Sequence, residues 1–240
     1  MIKKLVNKYL YKKSKFIAPR LDLEAETIND FDRESRKIIN LINYTKESGT
    51  SYSGELYNNA YHTITIGDNT LKGQRNPELR LKDVPYDFTN KKVLDLGCNQ
   101  GGMLHAIADK IKEGIGIDYD YKMINTANKI KLFSNNTHLN FFVFNLEVEN
   151  LEYLKDFISG RKVDICFLLS ICKWLKNWKE LITFSKSIST HMLFETNGSL
   201  EQQEDQINYL KHFYNNVQLI NEKSEDDPIQ KNRKLLICFD

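Results

Sequence analysis

The chain has 240 residues, of which 41% are hydrophobic and 28% charged, and its formal net charge is only +2. These values are ordinary for a soluble globular protein, with room for one α/β domain and an extension or for two small domains. No apolar run approaches the length of a transmembrane helix, and the basic N-terminus lacks the continuous apolar segment of a signal peptide.

A basic arm opens the chain. Residues 1–20 contain no acid and seven cationic side chains: Lys3, Lys4, Lys8, Lys12, Lys13, Lys15 and Arg20. Such an arm can bind nucleic acid or an anionic membrane surface. The simpler interpretation is an amphipathic helix packed on the domain, because apolar side chains recur at helical spacing. These side chains are Ile2, Leu5, Val6, Tyr9 and Leu10.

Residues 1–46 read as helical, with a rough apolar stripe of Ile28, Phe31, Ile38, Ile39 and Ile42. Residues 47–90 are polar and rich in turn signals, and so long an irregular segment in a compact domain is usually functional or disordered. Its aromatic residues argue against disorder. They include Tyr52, Tyr57, Tyr61, Tyr86 and Phe88. We therefore divide the chain into an N-terminal basic and helical extension, residues 1–60, and a domain of residues 61–240.

Strand and helix signals alternate from residue 92 onward, which indicates a mostly parallel sheet. Strands are predicted at residues 92–97, 114–118, 139–144, 163–169, 190–195, 215–221 and 233–239. Helices are predicted at residues 101–112, 121–133, 149–158, 174–187 and 200–213. The last two strands are joined by a loop too short for a helix, so they form an antiparallel pair. The predicted fold class is α/β: a Rossmann-like, seven-stranded, mostly parallel sheet with an antiparallel last strand, helices on both faces and an N-terminal helical extension.

The turn after the first of these strands is the most informative motif. An apolar strand runs through Gly97, Asn99 and Gly101 into an apolar-periodic helix. Glycine lets the backbone approach a ligand closely, and in an open α/β sheet the ligand lies across the carboxyl ends of the strands. Asp118 ends the second strand, where an acid can accept hydrogen bonds from both ribose hydroxyls. Together, the strand, the glycine turn, the helix and the acid predict a nucleotide-type cofactor. NAD and a ligand-free strand-turn-helix are weaker alternatives.

Asp95, inside the first strand, is not part of the NAD fingerprint. Residues 93–101 instead resemble motif I of the class I S-adenosylmethionine (SAM)-dependent methyltransferases, and residues 116–118 resemble the segment with the ribose-binding acid. The resemblance implies SAM as cofactor and S-adenosylhomocysteine (SAH) as product. It implies cofactor contacts for Asp95, Gly97, Asn99, Gly101, Asp118, Tyr119, Asn145, Leu146 and Ser170. For Asn145, pairing with the adenine amino group and a turn-forming role after the third strand are equal alternatives.

A narrower resemblance lies on both sides of motif I. Residues 73–77, the later Arg80 and residues 170–174 resemble blocks of the RNA methylphosphate capping methyltransferases. Bacterial methyltransferases that cap surface polysaccharides look similar too. The resemblance covers roughly residues 61–195 and implies methylation of a phosphate oxygen. Gln74 stands where the RNA enzymes have an aromatic residue, which argues against an RNA substrate.

Cationic residues dominate the predicted site. By the resemblance, Arg75 and Arg80 lie beside the methionine end of SAM, and a guanidinium suits a carboxylate through bidentate hydrogen bonds. A surface position is the alternative for both, and more so for Arg80. Lys173, after the fourth strand, suits an anionic acceptor. Glu195, at the end of the fifth strand, and His62 are candidate bases, although a lone histidine is more often structural.

Three further residues are predicted to bind the substrate. Tyr61 lies next to His62 in the segment that could close over the acceptor. Trp174 and Trp178 share one helix face, so at least one of them is a core residue. Arg233 follows the acidic loop and returns to the same rim, unless it is an ordinary surface arginine.

The choice of acceptor follows from its chemistry. A phosphate oxygen is already anionic and needs cationic positioning, whereas a hydroxyl needs a base within hydrogen-bond reach. The leading prediction is therefore a SAM-dependent O-methyltransferase that acts on an anionic (phosphate or phosphoramidate-type) or sugar oxygen of a small molecule, as in capsule or lipopolysaccharide biosynthesis. The alternatives are an RNA methyltransferase acting on a terminal phosphate or ribose, and a non-catalytic methyltransferase-like partner subunit.

The cysteines indicate a reducing compartment. The chain has four, at positions 98, 166, 172 and 238, and none forms a C-x-x-C pair. Three lie in predicted strands or at their ends, which predicts buried, reduced thiols in a cytoplasmic protein. No cluster of histidine and cysteine has metal-ligand spacing, and the oligomeric state is not readable from the sequence.

Overall fold

The computed structural model of the protein describes residues 33–45, 61–67 and 69–240. The predicted basic arm lies outside these residues, as do Ile28 and Phe31 of the predicted apolar stripe. No helix in the described part of the chain has both the length and the apolar content that crossing a membrane requires.

A small hairpin precedes a seven-stranded sheet. The hairpin consists of β1 (Ile64–Ile66) and β2 (Asn69–Leu71). The sheet consists of β3 (Lys92–Leu96), β4 (Glu113–Asp118), β5 (Leu139–Val143), β6 (Val163–Leu169), β7 (Ser189–Glu195), β8 (Asn216–Asn221) and β9 (Leu235–Phe239). Its strand order is β5-β4-β3-β6-β7-β9-β8, parallel from β5 to β7 and antiparallel on both sides of β9. The predicted Rossmann-like sheet with a reversed last strand is confirmed.

The described helices are α1 (Arg33–Thr45), α2 (Pro77–Leu81), α3 (Gly102–Ala106), α4 (Tyr121–Phe133), α5 (Leu154–Phe157), α6 (Trp178–Ile188) and α7 (Leu200–Phe213). Short 3-10 turns, Leu151–Tyr153 and Cys172–Trp174, precede α5 and α6. The helix predicted at residues 149–158 forms as a 3-10 turn followed by the four residues of α5. Two further helices are also shorter than the periodicity predicts. The first, α3, ends early because Ile107 leaves the helical backbone conformation (φ −117°, ψ 12°). The second, α6, begins late because Leu175 is extended (φ −113°, ψ 127°).

The segment predicted to be irregular contains regular structure in its described part. The strands β1 and β2 have three residues each, which is too short for a period-two pattern to stand out. The helix α2 begins at Pro77, where the side-chain oxygen of Asn76 accepts hydrogen bonds from the backbone N–H groups of Glu78 and Leu79 (3.0 and 3.3 Å). The end of this segment reaches the carboxyl edge of the sheet, where the side chains of Arg75 and Arg80 contact Glu195 at the end of β7.

The core lies on both faces of the sheet. In β6, Ile165 and Phe167 belong to the cluster beneath α3 and α4, while Cys166 and Leu168 belong to the cluster beneath α5, α6 and α7. Strands buried on both faces read as continuous apolar runs, which is why their positions could be predicted closely. All four cysteines are buried and unpaired, as predicted, and burial raises the pKa of each thiol.

The helix α1 packs on the rest of the described fold. Its buried Ile38, Ile39 and Ile42 join a cluster that includes Leu71 of the hairpin and Ile130 of α4. The hydroxyl of its last residue, Thr45, accepts a hydrogen bond from the Gln100 side chain at 2.8 Å. The division at residue 60 stays a prediction, and this packing shows that part of the predicted extension contacts the residues after 60.

Candidate active site

The carboxyl edge of the sheet is shaped by the turn after β3. Gly97, Asn99 and Gly101 have positive φ angles of 82°, 52° and 73°. The backbone N–H of Gly97 donates to the carbonyl of Ile117 at 2.8 Å, which ties the turn to β4. A Cβ atom on Gly101 would lie 2.4 Å from the Phe141 ring, so both the dihedral and the space require glycine there.

Two carboxyl groups lie buried at this edge. Asp118 accepts hydrogen bonds from the backbone N–H groups of Asn99 and Asp120, both at 2.9 Å. Burial nevertheless raises the pKa of Asp118 to about 6. Burial also raises the pKa of Asp95 to about 7, against the field of Arg80, and its Oδ2 has no hydrogen-bond partner in the described part of the chain. Both carboxyl groups would be better stabilised in the charged form by a cationic ligand.

The larger of two adjoining cavities, about 500 Å³, opens beside the turn. This volume suits a small-molecule ligand. Ten of the predicted site residues line it: Tyr61, Gly97, Asn99, Asp118, Tyr119, Asn145, Leu146, Ser170, Trp174 and Arg233. The side-chain oxygen of Asn145 accepts a hydrogen bond from the Glu147 backbone N–H at 3.0 Å, the bond expected of a turn-forming asparagine.

The smaller cavity, about 180 Å³, adjoins the larger one. Trp174, Gln230 and Arg233 line both cavities. Lys173 and Lys231 add two more cations to the smaller one, and none of the described residues that line it is acidic. The ammonium of Lys173 lies 4.5 Å from the centroid of the Trp174 ring. The smaller cavity is therefore cationic and has an aromatic edge.

A buried ion cluster lies behind the cavities. Arg75 is 0% exposed, and its guanidinium contacts Glu195 at 2.7 Å, Asp226 at 2.6 Å and Asp227 at 3.5 Å. Arg80 pairs with Glu195 at 2.5 Å. Both side chains are buried, so the alternative of a surface position is wrong for Arg75 and Arg80. Neither lines the larger cavity, and their predicted contact with SAM stays a prediction. Arg233 lies at the edge of the cluster, 3.8 Å from Glu195 and 3.9 Å from Asp227.

The geometry does not favour Glu195 as a base. Burial opposes its ionisation, but Arg80 and Arg75 outweigh this effect and lower its pKa to about 2. The hydroxyl of Ser170 also donates to its carboxylate. A group so acidic and so fully hydrogen-bonded takes up a proton poorly at neutral pH. Ordering the site is the role of Glu195 that the contacts support.

His62 is likewise part of the packing. It lines neither cavity, and a Cβ atom on Gly102 would lie 2.4 Å from the Cβ of His62. Burial lowers the pKa of His62 well below its usual value, and the charges of Arg80 and Arg75 lower it further. The geometry favours the structural alternative for this residue. Asp95 and Gly101 also line neither cavity. Lys173 lines the smaller cavity but not the larger one.

The sequence analysis did not identify several residues of the site. Gln230 and Lys231 line the cationic cavity, and Asp226 and Asp227 are buried in the ion cluster. The two acids belong to a charged loop, and such loops are normally solvated, so their composition carries no sign of burial. A weak sign in the sequence was Gln74, a polar residue where the similar RNA enzymes have an aromatic one. Its side-chain amide donates to Asp227 at 3.0 Å.

Comparisons with known proteins agree with the fold. Residues 72–227 match the family described as methyltransferase domain, which is more than half of the chain. The U6 snRNA methylphosphate capping enzyme Amus of Drosophila melanogaster is 34% identical over 101 residues, in a match that spans 38% of this chain and 33% of that protein. The chain thus matches only about a third of that relative's length.

Two solved structures share the fold at low sequence identity. The N-terminal domain of EvdMO1, crystallised with SAH, has a TM-score of 0.54 and 10% identity over 68% of this chain and 80% of that chain. The bifunctional kinase-methyltransferase WbdD has a TM-score of 0.56 and 18% identity over 75% of this chain and 43% of that chain. Identities this low support the architecture alone.

The larger cavity fits the cofactor that motif I implies. SAM combines an adenosine with a sulfonium, an ammonium and a carboxylate, so its methionine end carries a net positive charge. The unpartnered Asp95 oxygen and the raised pKa values of Asp95 and Asp118 are features that a cationic ligand would relieve. The glycine turn leaves room for the ligand beside Asp118. The chain therefore belongs to the methyltransferase domain family and is a SAM-dependent methyltransferase.

Proposed function

We propose that this enzyme methylates an anionic oxygen, of the phosphate or phosphoramidate type, or a sugar oxygen on a small molecule, as in capsule or lipopolysaccharide biosynthesis. One observation carries the proposal. The cavity that adjoins the cofactor cavity is lined by Lys173, Lys231 and Arg233, with no acid among its described lining residues. An anionic acceptor is the chemistry that such a wall binds. The buried, unpaired cysteines support a cytoplasmic site of action.

The reaction places few demands on proton transfer. When bound, SAM supplies a methyl carbon already activated by its sulfonium, so proximity and alignment account for most of the rate. A phosphate oxygen needs no base, which agrees with a neutral, buried His62 and a fully paired Glu195. We propose that Lys173 and Arg233 hold the acceptor while leaving one oxygen free to attack, and that Trp174 supports its apolar part.

We propose that residues of the larger cavity hold the cofactor. Asp118 would accept hydrogen bonds from the ribose hydroxyls, because its carboxylate lies at the cavity wall at the end of β4. Phe144 and Leu146 supply apolar surface for the adenine on the same wall. Arg80 keeps an Nε donor that has no partner in the described part of the chain, which supports its predicted position near the methionine end.

Cofactor binding should depend on pH. The pKa of Asp118 is raised to about 6, and the ribose hydroxyls need the ionised form as acceptor. Below pH 6 binding must release a proton, so we expect the SAM dissociation constant to rise by up to about tenfold per pH unit as the pH falls. Above about pH 8, where both Asp118 and Asp95 are ionised in the free enzyme, it should level off. Calorimetry between pH 5 and 8, in two buffers of different ionisation enthalpy, measures both the affinity and the released proton.

The matched control for this profile is Asp109→Asn, which removes an exposed carboxylate in the turn after α3. It should leave the profile unchanged, whereas Asp118→Asn should flatten it. A wild-type affinity that does not vary between pH 5 and 7 would contradict the assignment of Asp118.

The acceptor cavity predicts the effect of Lys173→Met. Loss of one charged contact should raise the KM for a phosphate acceptor about 10- to 100-fold, because such hydrogen bonds contribute about 1.5–3 kcal/mol. The SAM dissociation constant should change less than about twofold, because Lys173 does not line the larger cavity. The assay is a screen of sugar phosphates, phosphoramidates and neutral sugars for SAM-dependent methylation, followed by kinetics on the best substrate.

Lys176→Met is the control, since Lys176 is exposed, lies three residues away and lines neither cavity. If neutral sugars were methylated as fast as their phosphates, or if Lys173→Met left the acceptor KM unchanged, the anionic acceptor would be wrong.

An RNA substrate is the second candidate, favoured by the match to the capping enzyme Amus. Its test uses a short RNA with a terminal phosphate next to the same RNA without it, at low and high salt. Binding of RNA through phosphates weakens steeply with salt. Methylation of the phosphorylated RNA, with sugar phosphates inert, would replace the small-molecule proposal, whereas no binding at low salt removes the RNA candidate.

A further inference from the structure

We infer that residues 224–233 form the acceptor-side wall of the active site and that Asp227 is the positioning residue that holds this wall in place. The inference rests on the proposed function, because it concerns the acceptor cavity. The wall segment, as we call residues 224–233, joins β8 to β9 and supplies Ile229, Gln230, Lys231, Asn232 and Arg233 to the smaller cavity. Two of the three cations that line the smaller cavity, Lys231 and Arg233, therefore come from this one segment.

Asp227 sets the shape of the wall segment. Its Oδ1 accepts hydrogen bonds from the backbone N–H groups of Ile229 and Gln230, both at 2.9 Å. The Asp227 side chain is 0% exposed, although Ile229 and Gln230 are themselves exposed, so these bonds are partly buried. The backbone N–H of Ser224 donates to the carbonyl of Lys231 at 2.9 Å and closes the loop. These bonds fold the segment into a turn that places Gln230 and Lys231 at the smaller cavity.

Asp227 also fastens the wall segment to a distant part of the chain. Both of its oxygens accept from the Gln74 amide at 3.0 Å, and its Oδ2 lies 3.5 Å from Arg75 Nη1. Gln74 itself lines the cofactor cavity. One buried carboxylate thus joins the acceptor wall to a residue of the cofactor cavity. Arg233, whose Nη1 lies 3.9 Å from Asp227, is drawn toward the same group.

The rest of the segment is held independently, so loss of Asp227 should move the wall without unfolding the domain. The Gln203 side chain donates to the carbonyl of Asn232 at 2.8 Å. The backbone N–H of Lys234 donates to the Thr196 hydroxyl at 2.8 Å. Asp226 keeps its own pair with Arg75. These contacts fix the end that leads into β9, and the backbone N–H groups of Ile229 and Gln230 depend on Asp227.

The test compares Asp227→Ala and Asp227→Asn with Glu225→Ala, an exposed acid of the same segment. The first readout is hydrogen exchange of the backbone amides of residues 229–233, which needs no acceptor. The second is calorimetric titration of inorganic phosphate into enzyme saturated with SAH. The third is the dissociation constant of SAM, and thermal unfolding of each variant completes the set.

We expect Asp227→Ala to speed exchange in residues 229–233 and to weaken phosphate binding about 10- to 100-fold, the usual cost of a displaced binding group. SAM affinity should fall less than phosphate affinity, because Gln74, Gln230 and Arg233 form only part of the cofactor cavity, while Asp118 and the glycine turn do not depend on Asp227. Asp227→Asn should recover part of the loss, since its side-chain oxygen can still accept from Ile229 and Gln230. Glu225→Ala should resemble the wild type in every readout.

Three outcomes overturn the inference. Unchanged exchange in Asp227→Ala shows that another contact holds the wall. Faster exchange with unchanged phosphate affinity shows that the segment does not form the acceptor wall. Equal losses of SAM and phosphate affinity, with a lowered melting temperature, show a merely structural role. If the wild type binds no phosphate at all, the proposed function itself fails. The exchange result still shows, in that case, whether Asp227 holds the wall segment in place.

Discussion

The replacement Arg75→Ala is expected to lower the free energy of unfolding by about 3–5 kcal/mol, the usual cost of removing one partner from a buried ion pair. Arg75 is fully buried, and its loss leaves the Asp226 carboxylate without the cation it contacts and leaves Glu195 with Arg80 as its close cation. Urea unfolding monitored by circular dichroism measures the change. Arg75→Lys should cost less than alanine but more than a surface substitution, because lysine keeps the charge and loses the bidentate geometry.

A pH series identifies the cause of this loss. The pKa of Glu195 is lowered to about 2, so the stability that it contributes is present above pH 4.5 and lost as the pH falls toward 2. Without Arg75 the carboxyl groups can protonate instead, so the difference between wild type and variant should shrink toward pH 4. Arg161→Ala, at an exposed arginine, is the control and should stay within about 0.5 kcal/mol. A loss below about 1 kcal/mol for Arg75→Ala would contradict the ion cluster.

The second large effect concerns the cofactor. Asp118→Ala should raise the SAM dissociation constant at least about a hundredfold, because two hydrogen bonds to a charged group contribute about 1.5–3 kcal/mol each. Stability should respond differently from affinity. The raised pKa of Asp118 means that its charge costs folding free energy above pH 6, so removing that charge offsets part of the lost contacts.

Calorimetry at pH 8 measures the affinity, and thermal unfolding without ligand measures the stability. Asp109→Ala removes an exposed carboxylate at the other end of α3 and should bind SAM as the wild type does. An Asp118→Ala variant that binds SAM normally would place the ribose elsewhere. A variant that loses affinity only because it is unfolded would show a lost thermal transition.

Much of the architecture was predictable from local patterns. The strands β6 and β7 and the helices α4 and α7 lie within one residue of their predicted positions. Buried parallel strands are continuous apolar runs, and α7 begins with a capping box at Ser199 and Gln202. The placement of Gly97, Asn99 and Asp118 around one cavity also followed from the sequence, because the carboxyl ends of parallel strands meet at one edge.

The short and strained elements were harder to predict. The hairpin β1–β2 has too few residues for its alternation to show, and α3 ends at Ile107 although the apolar spacing continues. His62 and Glu195 were candidate bases because their residue types allow it. Burial and the charges of Arg80 and Arg75 lower the pKa of His62, whereas for Glu195 the two arginine charges lower the pKa against the effect of burial. No local pattern encodes that environment.

The amino-acid order therefore specifies the sheet, the glycine turn and the acid at its edge, because each depends on residues a few positions apart. The acceptor side depends on pairs remote in the chain: Gln74 meets Asp227 across 153 positions, and Arg75 meets Glu195 across 120. Whether an acid is solvated or buried against an arginine depends on which segments fold together. That is why motif I identifies the cofactor and the sequence suggests Lys173 and Arg233, while the wall that they form together with Lys231 becomes visible only in three dimensions.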